Sequence, residues 1–203
     1  MKTDSESQEL YSSIANVYDL GLRVFGYRRA AKAFVKMLPF EANDSFSVLD
    51  AGAGTGLYSF AILSRFPRAR ITAFDRNPAM LERMRDNALR QELQNAISTL
   101  EGDVVQRLPI GERSYDLIVT GGVLEYVDVG EAVKNLTTHL RSGGYFLHSP
   151  VRDSWLGRLL GRAYGFEPHT QAENIEPFLA HGFVLTRTAH APLLKDAHLF
   201  RKL

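Results

Sequence analysis

The chain contains no cysteine. That excludes disulfides, a thiolate nucleophile and any cysteine-ligated metal. It has almost no charge imbalance: 24 Lys and Arg against 23 Asp and Glu leave a formal +1, so bulk charge recruits no nucleic acid. It lacks an uninterrupted apolar run near the roughly 20 residues of a membrane span. Met1 to Gln8 are polar and mixed in charge, without the apolar core of a signal peptide. No repeat, low-complexity stretch or metal-ligand cluster is evident. The 203 residues suffice for one sizeable α/β domain. The expectation is a soluble cytoplasmic protein whose chemistry needs neither thiol nor metal.

What is present centres on Val48-Leu49-Asp50-Ala51-Gly52-Ala53-Gly54-Thr55-Gly56. Ser47, Val48 and Leu49 are strand formers. The glycines predict a tight turn, and Leu57, Phe60, Ala61 and Leu63 give the next segment a helical apolar face. Glycines allow close approach of a ligand to the backbone, and a helix N-terminus offers unpaired N–H groups to an anion. The spacing is G-x-G-x-G. It is not the G-x-G-x-x-G of a dinucleotide site, because Leu57 stands where the third glycine would be. Asp50 ahead of the loop would repel a pyrophosphate and attract an ammonium.

Ala69 to Phe74 predicts a second strand ending at Asp75, and Pro78 opens a helix. Strand, helix, strand in this order is a parallel βαβ unit. Asp75 falls at the carboxyl end of strand two, where a carboxylate can accept both hydroxyls of a ribose. Weaker strand pattern covers Asn95 to Leu100, followed by Gly102-Asp103-Val104. Tyr115 to Thr120 is the clearest later strand and runs into Gly121-Gly122-Val123-Leu124-Glu125-Tyr126. Val133 to Leu140 reads as a helix, Arg141 to Gly144 as a turn, and Tyr145 to His148 as strand five. His148, at a strand end, is by residue type the best general-base candidate. Val151 to Phe166 carries Trp155, Leu156, Leu159, Leu160, Ala163 and Tyr164 at helical spacing, with Arg158 and Arg162 off that stripe. His169 to Ala180 predicts one more helix, and Val184 to Ala189 and Ala197 to Lys202 a final hairpin-like strand pair, one strand of it antiparallel to the rest.

The ordered set Asp50, Gly52-Gly54-Gly56, Asp75, Asp103 and Glu125 resembles the class I S-adenosylmethionine (SAM)-dependent methyltransferases, from Tyr11 to Lys202. Ser12-Ser13-Ile14-Ala15-Asn16-Val17-Tyr18-Asp19 resembles the lead-in of the quinone- and phospholipid-type members. The resemblance implies a three-layer Rossmann-like fold, with a seven-stranded, mostly parallel sheet whose last strand is antiparallel. It implies a single domain over 1–203, with an N-terminal lid and flanking helix in 1–44, a SAM-binding core in 45–150, and an acceptor-covering segment and terminal strand pair in 151–203. It assigns cofactor contacts to Tyr18, Asp50, Ala51, Gly52, Gly54, Asp75, Arg76, Met80, Asp103, Val104, Thr120 and Gly121. Asp75 would take the ribose, Asp103 the adenine amino group with Val104 beside the ring, and backbone at Thr120 and Gly121 the methionine end. Departures are Val104 for alanine, Tyr126 for a common histidine, Ser142 for proline and His181 for alanine.

The implied reaction is direct displacement at the SAM methyl, leaving S-adenosylhomocysteine, with catalysis by placement and exclusion of water. If the acceptor must lose a proton, His148, Tyr18 and Tyr126 are the candidates, although a tyrosine with its ordinary pKa of about 10 is a poor base. The acceptor is expected to be a small molecule or an amphipathic, lipid- or quinone-like one. Arg28, Lys32 and Lys36 share one helix face within Leu22 to Leu38, a pattern compatible with a solvated surface or with peripheral contact at an anionic membrane. Competing readings are an NAD-dependent oxidoreductase, a non-catalytic SAM-binding or partner protein, and a lipid-surface protein. The sequence leaves open the acceptor atom and the oligomeric state.

Overall fold

The computed structural model describes residues 26–111, 113–192 and 194–203. The sequence expectations for Tyr11 to Phe25, Tyr18 among them, lie outside these residues. The elements are α1 (Tyr27–Val35), β1 (Ser47–Ala51), α2 (Leu57–Arg65), β2 (Arg70–Asp75), α3 (Pro78–Arg90), β3 (Ile97–Glu101), β4 (Tyr115–Gly121), a single 3-10 turn (Leu124–Tyr126), α4 (Val129–Thr137), β5 (Leu140–Ser149), α5 (Trp155–Tyr164), α6 (Gln171–Ala180), β6 (Phe183–His190) and β7 (Asp196–Lys202). The seven strands form one sheet in the order β3-β2-β1-β4-β5-β7-β6. All pairings are parallel except those of β7, which runs antiparallel to both β5 and β6. The expected sheet, with its one reversed strand, is what forms.

The central strands are buried on both faces, as crossover helices require of a parallel sheet. Val48, Leu117, Val119 and Leu147 face one apolar layer, which Phe34 and Val35 of α1, Ile62 of α2 and Met84 of α3 complete. Leu49, Ala51, Ile118 and Phe146 face the other, with Val133 and Leu136 of α4 and Phe178 of α6. The alternation of side chains along β1 and β4 therefore divides one apolar run into two cores. On α1, Ala30, Ala31, Phe34 and Val35 are buried while Arg28, Arg29, Lys32 and Lys36 are exposed.

Three elements differ from the sequence reading. The helix expected at Val133 to Leu140 begins earlier, because the Asp128 side chain caps it by accepting from Glu131 N at 2.8 Å. It also stops earlier. Thr137 and Thr138 turn their hydroxyls back onto Val133 O and Asn135 O, and Lys202 Nζ donates to the Thr137 and Leu140 carbonyls. The expected turn at Arg141 to Gly144 is instead the start of β5, paired to β4 through a register shift between Tyr115 and Leu117. That shift aims Asp116 at the edge of β1. Its carboxylate accepts from Ser47 N and Oγ and pairs with Arg141 at 2.6 Å. The helix expected over Val151 to Phe166 is confined to α5, capped by Ser154 and ended by Gly165 at φ 76°.

Phe178 is fully buried and stacks on Phe200 at 4.1 Å between ring centroids, with Phe146 edge-on at 4.9 Å. Phe178→Ala leaves a cavity this rigid aromatic group cannot close. The expected loss is about 3–5 kcal/mol, read as a lowered urea midpoint with unchanged slope.

Candidate functional site

At the carboxyl ends of β1, β2 and β4 the chain makes two adjoining cavities. Their position is the topological switch point, where β1's connection leads to one side of the sheet and β4 begins the other. The loop between β1 and α2 is built on three left-handed glycines: Gly52 (φ 69°), Gly54 (φ 54°) and Gly56 (φ 95°). The two-residue spacing of the motif is thus the spacing of positive φ values, which other L-residues adopt only under strain. A Cβ on Gly52 would also fall 2.5 Å from Val123 Cγ2. The loop is pinned to β2: Ala53 N donates to Phe74 O at 2.9 Å, and Gly54 N to Asp75 Oδ2 at 2.8 Å. The other Asp75 oxygen accepts from Asn77 N at 2.9 Å. Each carboxylate oxygen keeps acceptor capacity beyond these bonds.

The first cavity is lined by Gly52, Gly54, Asp75, Arg76, Met80, Gly102, Asp103, Val104, Val123 and Tyr126 among others, and has about 820 Å³ of empty space. The second is lined by Asp50, Leu57, Tyr58, Gly121, Lys195 and a group of rings, with about 770 Å³. The two share Gly52, Gly122 and Tyr126. Nine of the twelve expected cofactor contacts therefore line one cavity or the other: Asp50, Gly52, Gly54, Asp75, Arg76, Met80, Asp103, Val104 and Gly121. Ala51 is sealed within β1. Thr120 is fully buried too, and its side chain turns away to His148. Tyr18 is not among the described residues.

Asp50 is 2% exposed, and its Oδ2 accepts from Ser59 N (3.1 Å) and Oγ (2.6 Å). Burial pushes its carboxyl up to about 6, in spite of those two bonds, and nearby Asp75 adds to the rise. Gly121 lies flat on the ring of Tyr58, which leaves no room for a Cβ. Burial raises the Tyr58 phenol well above its ordinary value. Tyr126 is half exposed, and its hydroxyl is also raised, by burial first and then by Glu125. Its ring meets Phe166 at 5.2 Å. Glu125 Oε1 accepts from Val151 N, tying the 3-10 turn to the end of β5.

His148 does not serve as the expected base. It is fully buried among Thr120, Asn174, Phe178 and His198 and lines neither cavity. Asn174 Nδ2 donates to the His169 and Thr170 carbonyls, so its Oδ1 must accept from His148 Nε2–H at 2.9 Å. That leaves Nδ1 to accept from the Thr120 hydroxyl at 3.0 Å. Burial pulls the ring's pKa down to about 3. The residue type suggested a proton carrier, and burial makes it a neutral strut between β4, β5 and α6. Sequence reasoning did not single out Tyr27, Tyr58 or Lys195, which line the second cavity beside Tyr164 and Phe166 of the segment expected to cover the acceptor. For Lys195 a signal existed: it is a lone cation closing the apolar run Ala191-Pro192-Leu193-Leu194.

Among the described residues, no group of three or more His, Asp and Glu is placed to hold a metal ion, and no helix is long and apolar enough to cross a membrane.

Residues 48–144 match the family described as a methyltransferase domain. That region, with its loop geometry and sheet order, is of the class I SAM-dependent methyltransferase type. Its sequence is similar to those of two proteins. It is 29% identical over 140 residues to a malonyl-[acyl-carrier protein] O-methyltransferase of Acetivibrio thermocellus, covering 68% of this chain and 47% of that protein. It is 31% identical over 139 residues to 2-methyl-6-phytyl-1,4-hydroquinone methyltransferase 2, chloroplastic, of Oryza sativa subsp. japonica, covering 67% of this chain and 38% of that protein. The chain thus spans less than half the length of either. In fold it resembles a geranyl diphosphate methyltransferase in complex with SAM (TM-score 0.74, 12% identity, 87% of this chain and 85% of that one). It also resembles an O-methyltransferase family 2 protein from Planctomyces limnophilus DSM 3776 in complex with apigenin (TM-score 0.75, 21% identity, 93% and 62%). The family match and these similarities favour a methyltransferase over the NAD-dependent oxidoreductase.

The His148 geometry carries a signed pH effect. Its native pKa lies below its unfolded value near 6.5, so the unfolded chain binds the extra proton as pH falls. Stability from this group is complete above about pH 6.5 and is lost toward pH 3, at about 1.4 kcal/mol per pH unit. Asp50, raised to about 6, acts with the opposite sign between about pH 4 and 6, so the net slope is a difference. The clean reading is by long-range proton–nitrogen NMR. His148 should show the Nε2–H tautomer with shifts constant from pH 5 to 8; a ring that titrates in that interval would be open to solvent and would overturn its assignment as a strut.

Proposed function

We propose that the chain binds SAM across the two cavities and moves its methyl group to a small-molecule acceptor with an apolar body. The observation that carries this reading is the junction: a cavity with two carboxylates, Asp75 and Asp103, meets a ring-lined one over Gly52, Gly122 and Tyr126. The residues fit the cofactor. Asp75 has lone pairs for a ribose, and Asp103 with Gly102 and Val104 forms a slot suited to adenine. Asp50 lines the second cavity and suits an ammonium, and α2 begins at Gly56 without a side-chain cap, leaving its N-terminus to a carboxylate. When bound, SAM supplies a methyl group on a sulfonium that the acceptor's lone pair can displace directly.

The protein's part is placement and drying. The double glycine at 121–122 keeps side chains out of the space where the cavities meet. Leu57, Leu160, Val151 and Phe166 remove water from the acceptor side. Tyr126, at the junction, is the described candidate for holding or receiving an acceptor proton. Tyr18 remains the corresponding candidate from the lead-in segment. The curated relatives' names, a malonyl-carrier O-methyltransferase and a phytylhydroquinone methyltransferase, support an acceptor that presents an acidic oxygen or an activated ring. A lipid- or quinone-like acceptor is further supported by α5, whose Trp155 and Leu159 are exposed beside the cavity. Such a face suits peripheral contact with a membrane, and the composition supports a cytoplasmic location.

The test is calorimetric titration with SAM, S-adenosylhomocysteine and NAD. Micromolar binding of the first two and none of NAD is expected. Asp75→Ala removes a charged acceptor of two hydrogen bonds, at about 1.5–3 kcal/mol each, and should weaken SAM binding at least 100-fold. Preferential NAD binding would sink the reading. SAM binding with no methyl transfer to phenol, carboxylate or quinol acceptors would point to the non-catalytic alternative.

A further inference from the structure

Among the described residues, Lys195 is the one cation that lines the ring-walled cavity. It lies in the connection between β6 and β7, and it is only 4% exposed. Its Nζ donates to Ser149 O at 3.1 Å and stands over the ring of Tyr27, 5.2 Å from the centroid. A Cβ on Gly122 would sit 3.0 Å from it, so the ammonium reaches the glycine pair at the end of β4, where the two cavities join. An ammonium has three donors, and among the described residues this one has a single hydrogen bond, to a carbonyl.

Among the described residues, no carboxylate forms an ion pair with Lys195. The two acids whose fields favour its charge are Glu125, whose buried Oε2 has no hydrogen-bond partner among the described residues, and Asp196; neither comes within ion-pair distance of it. Glu125 Oε1 holds Val151 N. Asp196 Oδ1 holds Arg152 at 2.6 Å and His190 at 2.8 Å. A buried cation without a direct counter-ion is costly, and a cavity wall is where a ligand can supply the missing anion.

We infer that Lys195 binds an anionic oxygen of the acceptor, a carboxylate or a phenolate, and so selects acceptors that join such an oxygen to an apolar or aromatic body. The inference rests on the methyltransferase reading and adds the acceptor's chemical class. The arrangement of charge supports it. Asp50 lies by the glycine loop and suits the cofactor's cationic end, and the α2 N-terminus already serves the methionine carboxylate. Lys195 comes from beyond β5, on the opposite side of the switch point, with Tyr27, Tyr126, Tyr164 and Phe166 to stack on the acceptor's body. Holding the oxygen as its anion also keeps its lone pairs available without a dedicated base, in accord with the removal of His148 from that role.

The experiment titrates the protein, saturated with S-adenosylhomocysteine, with 1-naphthoate and with its uncharged counterpart 1-naphthamide. The wild type should bind naphthoate at least 10-fold more tightly than the amide. Lys195→Met should lose at least 10-fold in naphthoate affinity while its affinities for naphthamide and S-adenosylhomocysteine stay within twofold. Thermal unfolding of the variant checks the fold, and Lys195→Gln replaces it should the methionine variant fail to fold. Equal binding of the two probes by the wild type overturns the inference. So does a Lys195→Met variant that keeps naphthoate, or one that loses S-adenosylhomocysteine, since Lys195 would then serve the methionine carboxylate. A wild type that binds no S-adenosylhomocysteine in the first titration sinks the methyltransferase reading, and this inference with it, and is told apart by that step alone.

Discussion

The carboxylate of Asp75 holds the site together. One oxygen takes the N–H of Gly54 and the other that of Asn77, so one side chain fixes both the glycine loop and the start of α3. The loop has three residues at positive φ and would otherwise have many backbone states to lose on folding. Pinning its middle from the neighbouring strand confines it before any ligand arrives. The lone pairs left over point at the cavity that the pinned loop creates. The atoms that fix the loop are thus the ones proposed to take the ribose.

This explains why half of the site was legible in the sequence. Gly52, Gly54, Gly56 and Asp75 belong to one contiguous βαβ unit, and their roles follow from local geometry: left-handed turns need glycine, and the end of strand two must carry the acceptor. The strand pattern was readable for a similar reason, since Leu117 to Thr120 is an apolar run that only a doubly covered strand can bury. The other cavity was not readable. Tyr27, Tyr58, Tyr164 and Lys195 come from four separate elements, and nothing in their spacing says that they meet. His148 shows the converse failure. Residue type and position at a strand end favoured chemistry, but α6 covers that end with Asn174, and burial decided the outcome. The early stop of α4 also depended on a distant residue, Lys202, and on two threonines whose hydroxyls compete for the helix carbonyls.

Charge in the core is distributed with economy. Asp50 and Lys195 are both nearly inaccessible and both border the same cavity. One is held closer to neutral by burial, the other has fields from Glu125 and Asp196 to oppose the same effect. Opposite signs in one lining give the cavity a polarity, and the other described residues that line it carry no formal charge. A ligand that crosses it is oriented before it is contacted closely.

The sheet order has a consequence for how the molecule assembles. β6 touches the sheet only through β7, and β7 enters between strands that precede it in the chain. The β1–α2–β2 unit can close by contacts near in sequence, whereas the hairpin that carries Lys195 must wait until β5 is in place to receive it. Long-range closure of this kind is the slow part of folding. The two sides of the site therefore close differently: the glycine loop meets Asp75 within one βαβ unit, whereas Lys195 arrives on a hairpin that needs β5 in place.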